Sequence, residues 1–251
     1  MMFSTCEKLT SVVLTSFTGE IVQNINYMFQ NCISLKEIIL NKFNTNRNLK
    51  YMTSLFQNCS SLERIDISQM DISNVNRLTG LFNGCSKLQQ LDLSNFQTYS
   101  IYNFDNMFNG CSSLTSLDLS NFNTELVTSM NSMFKNCTNL QTIKLESFDT
   151  EIVTDFSYMF YGCSSLQELD LHNFNTSSSL YMRNMFDSSI NLKFLNLTGF
   201  DTRKCKDYTN IFNECRELTI SINSKYCSNL INDIPDYVNV TFIDKIFGLL
   251  Y

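Results

Sequence analysis

The stretch MFNGCSSLTSLDLSNFNTELVTSM, residues 107–130, decides the fold. Within it Leu114, Leu117 and Leu119 form an L-x-x-L-x-L pattern, and the period of two around Asp118 marks a short strand with its leucines turned inward. Beyond Phe122, the residues Val127, Met130, Met133 and Phe134 fall at i, i+3, i+6 and i+7, the spacing of one apolar helical stripe. The spacing predicts a short helix that returns the chain to the next strand. Gly110, just before Cys111, suits the left-handed conformation that ends such a helix, and Asn31, Asn58, Gly84, Asn136 and Gly162 hold the same place elsewhere.

Outward from this unit the same register runs along the chain. A phenylalanine stands three residues before a cysteine slot at Phe3, Phe29, Phe56, Phe82, Phe108, Phe134, Phe160, Phe186 and Phe212. A leucine follows that slot at Leu9, Leu35, Leu62, Leu88, Leu114, Leu140, Leu166, Leu192 and Leu218. The slot itself is cysteine at Cys6, Cys32, Cys59, Cys85, Cys111, Cys137, Cys163 and Cys215, with Ser189 the one substitution. A fixed period of about 26 residues means a repeat architecture. The expected fold is an α/β solenoid, a right-handed leucine-rich-repeat-like superhelix of nine turns, with a parallel sheet on one face and short helices on the other. Strand cores are expected at Val12–Leu14, Ile38–Leu40, Ile65–Ile67, Leu91–Leu93, Leu117–Leu119, Ile143–Leu145, Leu169–Leu171 and Leu195–Leu197. One extra residue between Thr45 and Leu49 makes the second turn longer, and a loop absorbs it cheaply.

The solenoid is assigned to residues 1–222 and a C-terminal cap to residues 223–251, where the pattern slips at Leu218, Ile220 and Ile222 and then ends. The first turn begins directly at Met2 and Phe3 with no polar cap, which suggests packing on another chain or a cut from a longer one. Only one proline and seven glycines occur, and no linker-like run divides the chain. With a net charge of -6 and a sequence pI near 4.8, there is no basic footprint for nucleic acid. No apolar run reaches the length of a membrane span, and the N-terminus lacks the basic and apolar regions of a secretory signal, which points to the cytoplasm.

The string MF-x-x-CSSL-x-x-LDLS-x-F-x-T-x-x-V-x-x-M at 107–130, nearly repeated at 133–156 and 159–182, resembles the leucine-rich repeats of BspA-like surface proteins and the related repeat of mycoplasma surface lipoproteins. The resemblance implies an extended solenoid on a cell surface that adheres to host or matrix proteins. Cys6 is explained by the repeat register and is not read as a lipidation site.

Chemistry-bearing residues are few. The cysteines form one column, and their spacing fits no zinc motif, so they read as buried free thiols. A bridge among Cys205, Cys215 and Cys227, near the irregular end, stays open. His172, the only histidine, follows Leu171 at a strand end and reads as a solvent-facing variant of a serine position. With no second histidine and no phosphate-cradling loop, enzyme activity is not expected, and no cofactor or metal is implied. Thr45, Thr98, Thr124, Thr150, Thr176 and Thr202 form a column suited to hydrogen bonds between turns. The strand-centre column Val13, Ile39, Asp66, Asp92, Asp118, Lys144, Asp170 and Asn196 is the candidate partner-binding face, either a solvated consensus or a contact for a basic partner or a weakly held cation. The expected function is a non-catalytic protein-binding module, adhesin-like or, alternatively, an intracellular scaffold using the same surface.

Overall fold

The computed structural model describes residues 2–14, 21–40 and 48–243; Thr45, most of the residues around the predicted insertion, and the last eight residues lie outside it. The chain winds as a β-solenoid of about eight turns with parallel sheets. Its strands are β1 (Ser11–Val13), β2 (Glu37–Ile39), β3 (Arg64–Asp66), β4 (Ser116–Asp118), β5 (Thr142–Lys144), β6 (Glu168–Asp170), β7 (Phe194–Leu197), β8 (Thr219–Ile222) and β9 (Asn239–Phe242). Most begin one residue earlier than the leucine pattern suggested. β2 pairs with β3 at an offset of 27 residues, Glu37 opposite Arg64, so the extra residue of that turn leaves the strand register intact.

The expected helices are absent from the returning segments. Among the described residues the one helix is α1 (Ser228–Ile231). Val127, Met130, Met133 and Phe134 are all fully buried, so the apolar stripe was real, but the backbone satisfies itself differently. The N–H groups of Phe104, Asn106, Phe108 and Gly110 donate across to the carbonyls of Ser129, Asn131, Met133 and Lys135 in the next coil. Those of Met107, Asn109 and Cys111 donate back three residues, to Phe104, Asn106 and Phe108. Such alternation is a chain of tight turns in which every other amide is spent on a neighbouring coil, leaving no i to i−4 ladder.

Two left-handed residues per coil make this possible. The anticipated ones before the cysteine slot are there, with φ from 57° at Asn136 to 78° at Gly84. A second lies four residues earlier, at Tyr27, Ser54, Gly80, Asn106, Ser132, Tyr158, Asn184 and Asn210. Side chains of that variety carry no signal of a positive φ, and a single positive φ in mid-segment is enough to break a helix.

Inside, stacked columns form one continuous core. The phenylalanine rings from Phe3 to Phe212 lie nearly parallel, with centroids 5.4 to 5.9 Å apart from coil to coil. From Cys32 onward each cysteine of the slot donates to the carbonyl of the preceding coil's phenylalanine, as Cys111 does to Phe82 at 3.2 Å, and Ser189 makes the same bond to Phe160 at 2.7 Å. Thr98, Thr124, Thr150 and Thr176 are buried, and each donates its hydroxyl to a carbonyl of the following coil at 2.6 to 3.1 Å, as their column required. Beyond residue 222, Cys227 donates to Phe200 and β9 lays one more parallel strand on β8.

One column escaped the sequence reading. The Asn173 amide donates to the carbonyls of Leu145, Glu146 and Phe148 at 3.1 to 3.4 Å, and Asn121 does the same one coil pair earlier, toward Leu93, Ser94 and Phe96. At the next position of this column stands Gly199, where a Cβ would lie 2.3 Å from the His172 carbonyl oxygen, so the coil comes in close instead of reaching with an amide. Asn173→Ala should therefore strand the Glu146 and Phe148 carbonyls, while Leu145 keeps the Phe148 N–H at 3.0 Å, at a cost of about 1–3 kcal/mol. A urea midpoint unchanged by that substitution would show that the amide is dispensable.

Candidate interaction face

The sheet presents two outward columns. One is the strand-centre column; the other holds Ser11, Glu37, Arg64, Gln90, Ser116, Thr142, Glu168, Phe194 and Thr219. Val13, Asp92, Asp118, Lys144 and Asp170 are exposed, and Ile39, Asp66 and Asn196 are half-buried, so the structure places every residue of the candidate face on one surface.

Local geometry accounts for the acidic preference at strand centre. Each carboxylate accepts the backbone N–H two residues on: Asp66 from Ser68, Asp92 from Ser94, Asp118 from Ser120 and Asp170 from His172, all at 2.9 to 3.1 Å. Asn196 does the same for Thr198 at 3.2 Å. The side chain thus closes a turn that takes the chain off the strand. The Ser94 N–H holds the pKa of the Asp92 carboxyl below its ordinary value, and the Lys144 ammonium beside Asp118 holds that carboxyl well below the usual range. Asp118 in turn raises the Lys144 ammonium.

Hydrogen bonding across the sheet is not continuous. β1 to β3, β4 with β5, and β6 to β9 form three separate sheets. The ladder lapses from Asp66 to Asp92 and from Asp92 to Asp118, where aspartate stacks on aspartate, and the expected strand at Leu91–Leu93 does not form. Were these strands paired at the usual spacing of about 4.8 Å, their carboxylates would repel by roughly 1 kcal/mol in water, comparable with the net worth of one backbone hydrogen bond. Where Lys144 follows Asp118 the ladder holds, and the two side chains meet at 2.6 Å. The third lapse, between Lys144 and Asp170, has no such explanation. At the aspartate lapse the face opens into a depression of about 510 Å³ lined by Glu63, Arg64, Ile65, Leu91, Asp92 and Asp118.

Across the two columns six carboxylates face two bases. Both bases are engaged, Arg64 with Glu37 at 3.2 Å and Lys144 with Asp118. Among the described residues Asp66, Asp92 and Glu168 have no cationic partner, and Asp170 has only His172, whose Nδ1 lies 3.0 Å away. His172 is exposed, as its place at a strand end implied. No group of acidic, cysteine or histidine side chains suited to hold a metal occurs among the described residues, and no helix there is long and apolar enough to cross a membrane.

The family model described as "Mycoplasma protein of unknown function, DUF285" matches residues 1–113, 50–144 and 128–240. Among solved structures, a leucine-rich repeat protein from Bacteroides ovatus is 16% identical, with a TM-score of 0.39 over 96% of this chain and 86% of that one. A leucine rich cell surface protein from Faecalibacterium prausnitzii is 14% identical, with a TM-score of 0.30 over 94% and 80%. No curated protein matches, and none of these similarities indicates a catalytic family.

Proposed function

Since this chain belongs to the DUF285 family, Mycoplasma proteins of unknown function, as its repeat string implied, we propose that it is a non-catalytic protein-binding solenoid whose sheet face takes a basic partner in the manner of a surface adhesin. The observation that carries the reading is the uncompensated charge of that face: among the described residues, Asp66, Asp92, Glu168 and Asp170 stand without a lysine or arginine to answer them. A partner's lysines or arginines set between Asp66, Asp92 and Asp118 would relieve the repulsion that parts the strands, so binding and repair of the sheet would reinforce each other. Val13 and Phe194, both more than half exposed, add apolar contact toward either end. The same reading counts nine coils, including the one at residues 89–93 whose strand is missing.

The test uses the triple variant Asp66→Asn, Asp92→Asn, Asp118→Asn. Asn196 already closes the same turn with an amide, so the variant keeps its fold. Its affinity for a labelled Lys-Ser repeat peptide should fall at least tenfold, with a weaker dependence on salt. Equal affinity in variant and parent sinks the acidic-face reading.

A further inference from the structure

The side of the coil that carries the turn ladder has a different chemistry. Its outward positions are mostly Asn, Gln, Ser and Thr, but three successive coils bring together Lys135, Tyr158, Tyr161, Tyr181 and Arg183. The Lys135 ammonium stands 4.5 Å from the Tyr158 ring centroid and 5.0 Å from that of Tyr161. The Arg183 guanidinium lies 5.4 Å from Tyr158, and the two tyrosines meet edge to face at 5.8 Å. Residue register sets Lys135 and Arg183 two coils apart with the rings between them.

Neither cation has a carboxylate within ion-pair distance among the described residues, whereas Arg64, Lys144, Lys193, Arg203 and Arg216 all do. The carboxylates of the adjoining columns are already engaged. Asp155 accepts from the Ser157 N–H at 2.8 Å and the Asn131 amide at 3.1 Å. Asp187, buried, accepts from Asn184, Ser188 and Asn213 at 2.6 to 3.0 Å. Nor is any acceptor bonded to the hydroxyls of Tyr158, Tyr161 or Tyr181 within the described residues. In a protein of net charge -6, this is a cluster of donors and cations with its acceptors missing.

We propose that this patch is a second interaction surface, independent of the sheet face, and that it binds an acidic polypeptide segment. Tyrosine and arginine are the residue types on which protein interfaces concentrate their energy, and a tyrosine already held by its neighbours gives up little freedom on binding. The cations occupy the flat ring faces, so what remains for a ligand is positive charge and phenolic hydroxyls. That chemistry answers side-chain carboxylates rather than the stacked rings of a sugar. The solenoid then carries, apart from its acidic sheet face, a tyrosine patch with two localised cations, and can join two partners of different chemistry.

Fluorescence anisotropy of a labelled octapeptide of alternating Glu and Gly, at low ionic strength, reads this surface. The parent should bind it, bind the Gln counterpart far more weakly, and lose at least tenfold in affinity on Lys135→Glu with Arg183→Glu. Arg183→Ala, at an exposed position, should lose severalfold on its own and guards against misfolding of the double variant. The Asp66, Asp92 and Asp118 triple variant should keep full affinity, which separates this surface from the sheet face. The proposal is overturned if the Glu peptide does not bind, if it binds the reversed variant equally well, or if an oligogalacturonate competes for the same residues with higher affinity.

Discussion

Between pH 9 and pH 12 the protein should lose its fold steeply, because its thiol column cannot ionise in place. Burial pushes the thiols of Cys59, Cys137 and Cys215 up to about 12 and that of Cys227 to about 11, from a value of 9.0. Cys85, Cys111 and Cys163 are likewise driven well above that value, with burial the main cause. A group whose folded value is raised contributes stability that is complete below the unfolded value and is lost as pH climbs toward the folded one. The unfolded chain sheds these protons first, so each such thiol removes up to about 1.4 kcal/mol per pH unit above 9. Four of them acting together would remove about 5 kcal/mol per unit, comparable with the whole stability of an ordinary domain. Far-UV circular dichroism under reducing conditions should show a cooperative transition near pH 10 to 11. Replacing Cys59 and Cys137 by serine, which already serves the slot at Ser189, should move it upward. If the midpoint stays where it was, lysine and tyrosine titration drives the transition and the thiols do not.

Phe134→Ala should cost about 3–5 kcal/mol, the largest effect expected of a single core substitution. The ring is fully buried and lies between Phe108 at 5.7 Å and Phe160 at 5.4 Å, so its loss opens a void that two coils share. Phe3→Ala should cost less than half as much, since Phe3 is half-buried and stacks on Phe29 alone. In a repeat array the damage stays with the neighbours. Hydrogen exchange should accelerate across residues 104–165 while the terminal coils keep their protection. Uniform acceleration along the chain would show that the stack transmits its strain end to end.

How much of this was legible depended on whether a residue type carries its own geometry. Apart from the one expected at Leu91–Leu93, which does not form, the leucine alternation placed its strands to within a residue, because a period of two has only one inward reading. Asn31, Asn58 and Gly84 announced their left-handed backbone, and the threonines announced their hydrogen bonds. The helix failed because an apolar residue at every third or fourth place is equally what a run of tight turns buries, and Tyr158 at φ 60° gives no warning in sequence. The acidic column was visible, but its effect on the ladder rests on a balance of about 1 kcal/mol that residue types do not display. The tyrosine patch was missed because its members occupy different columns of three coils and share no motif.

The lapses in the sheet have a mechanical meaning. Between Asp66 and Asp118 the coils are joined by backbone bonds on the turn side, such as Ser54 to Thr79 and Gly80 to Asp105, while the strand side lacks its ladder and keeps only side-chain bridges such as Asn95 to Ser68 and Asn121 to Leu93. A rod fastened along one side and slit along the other flexes toward the fastened side at little cost. The solenoid is thus three stiff segments on a shared spine, and axial tension would be taken up first at the slit.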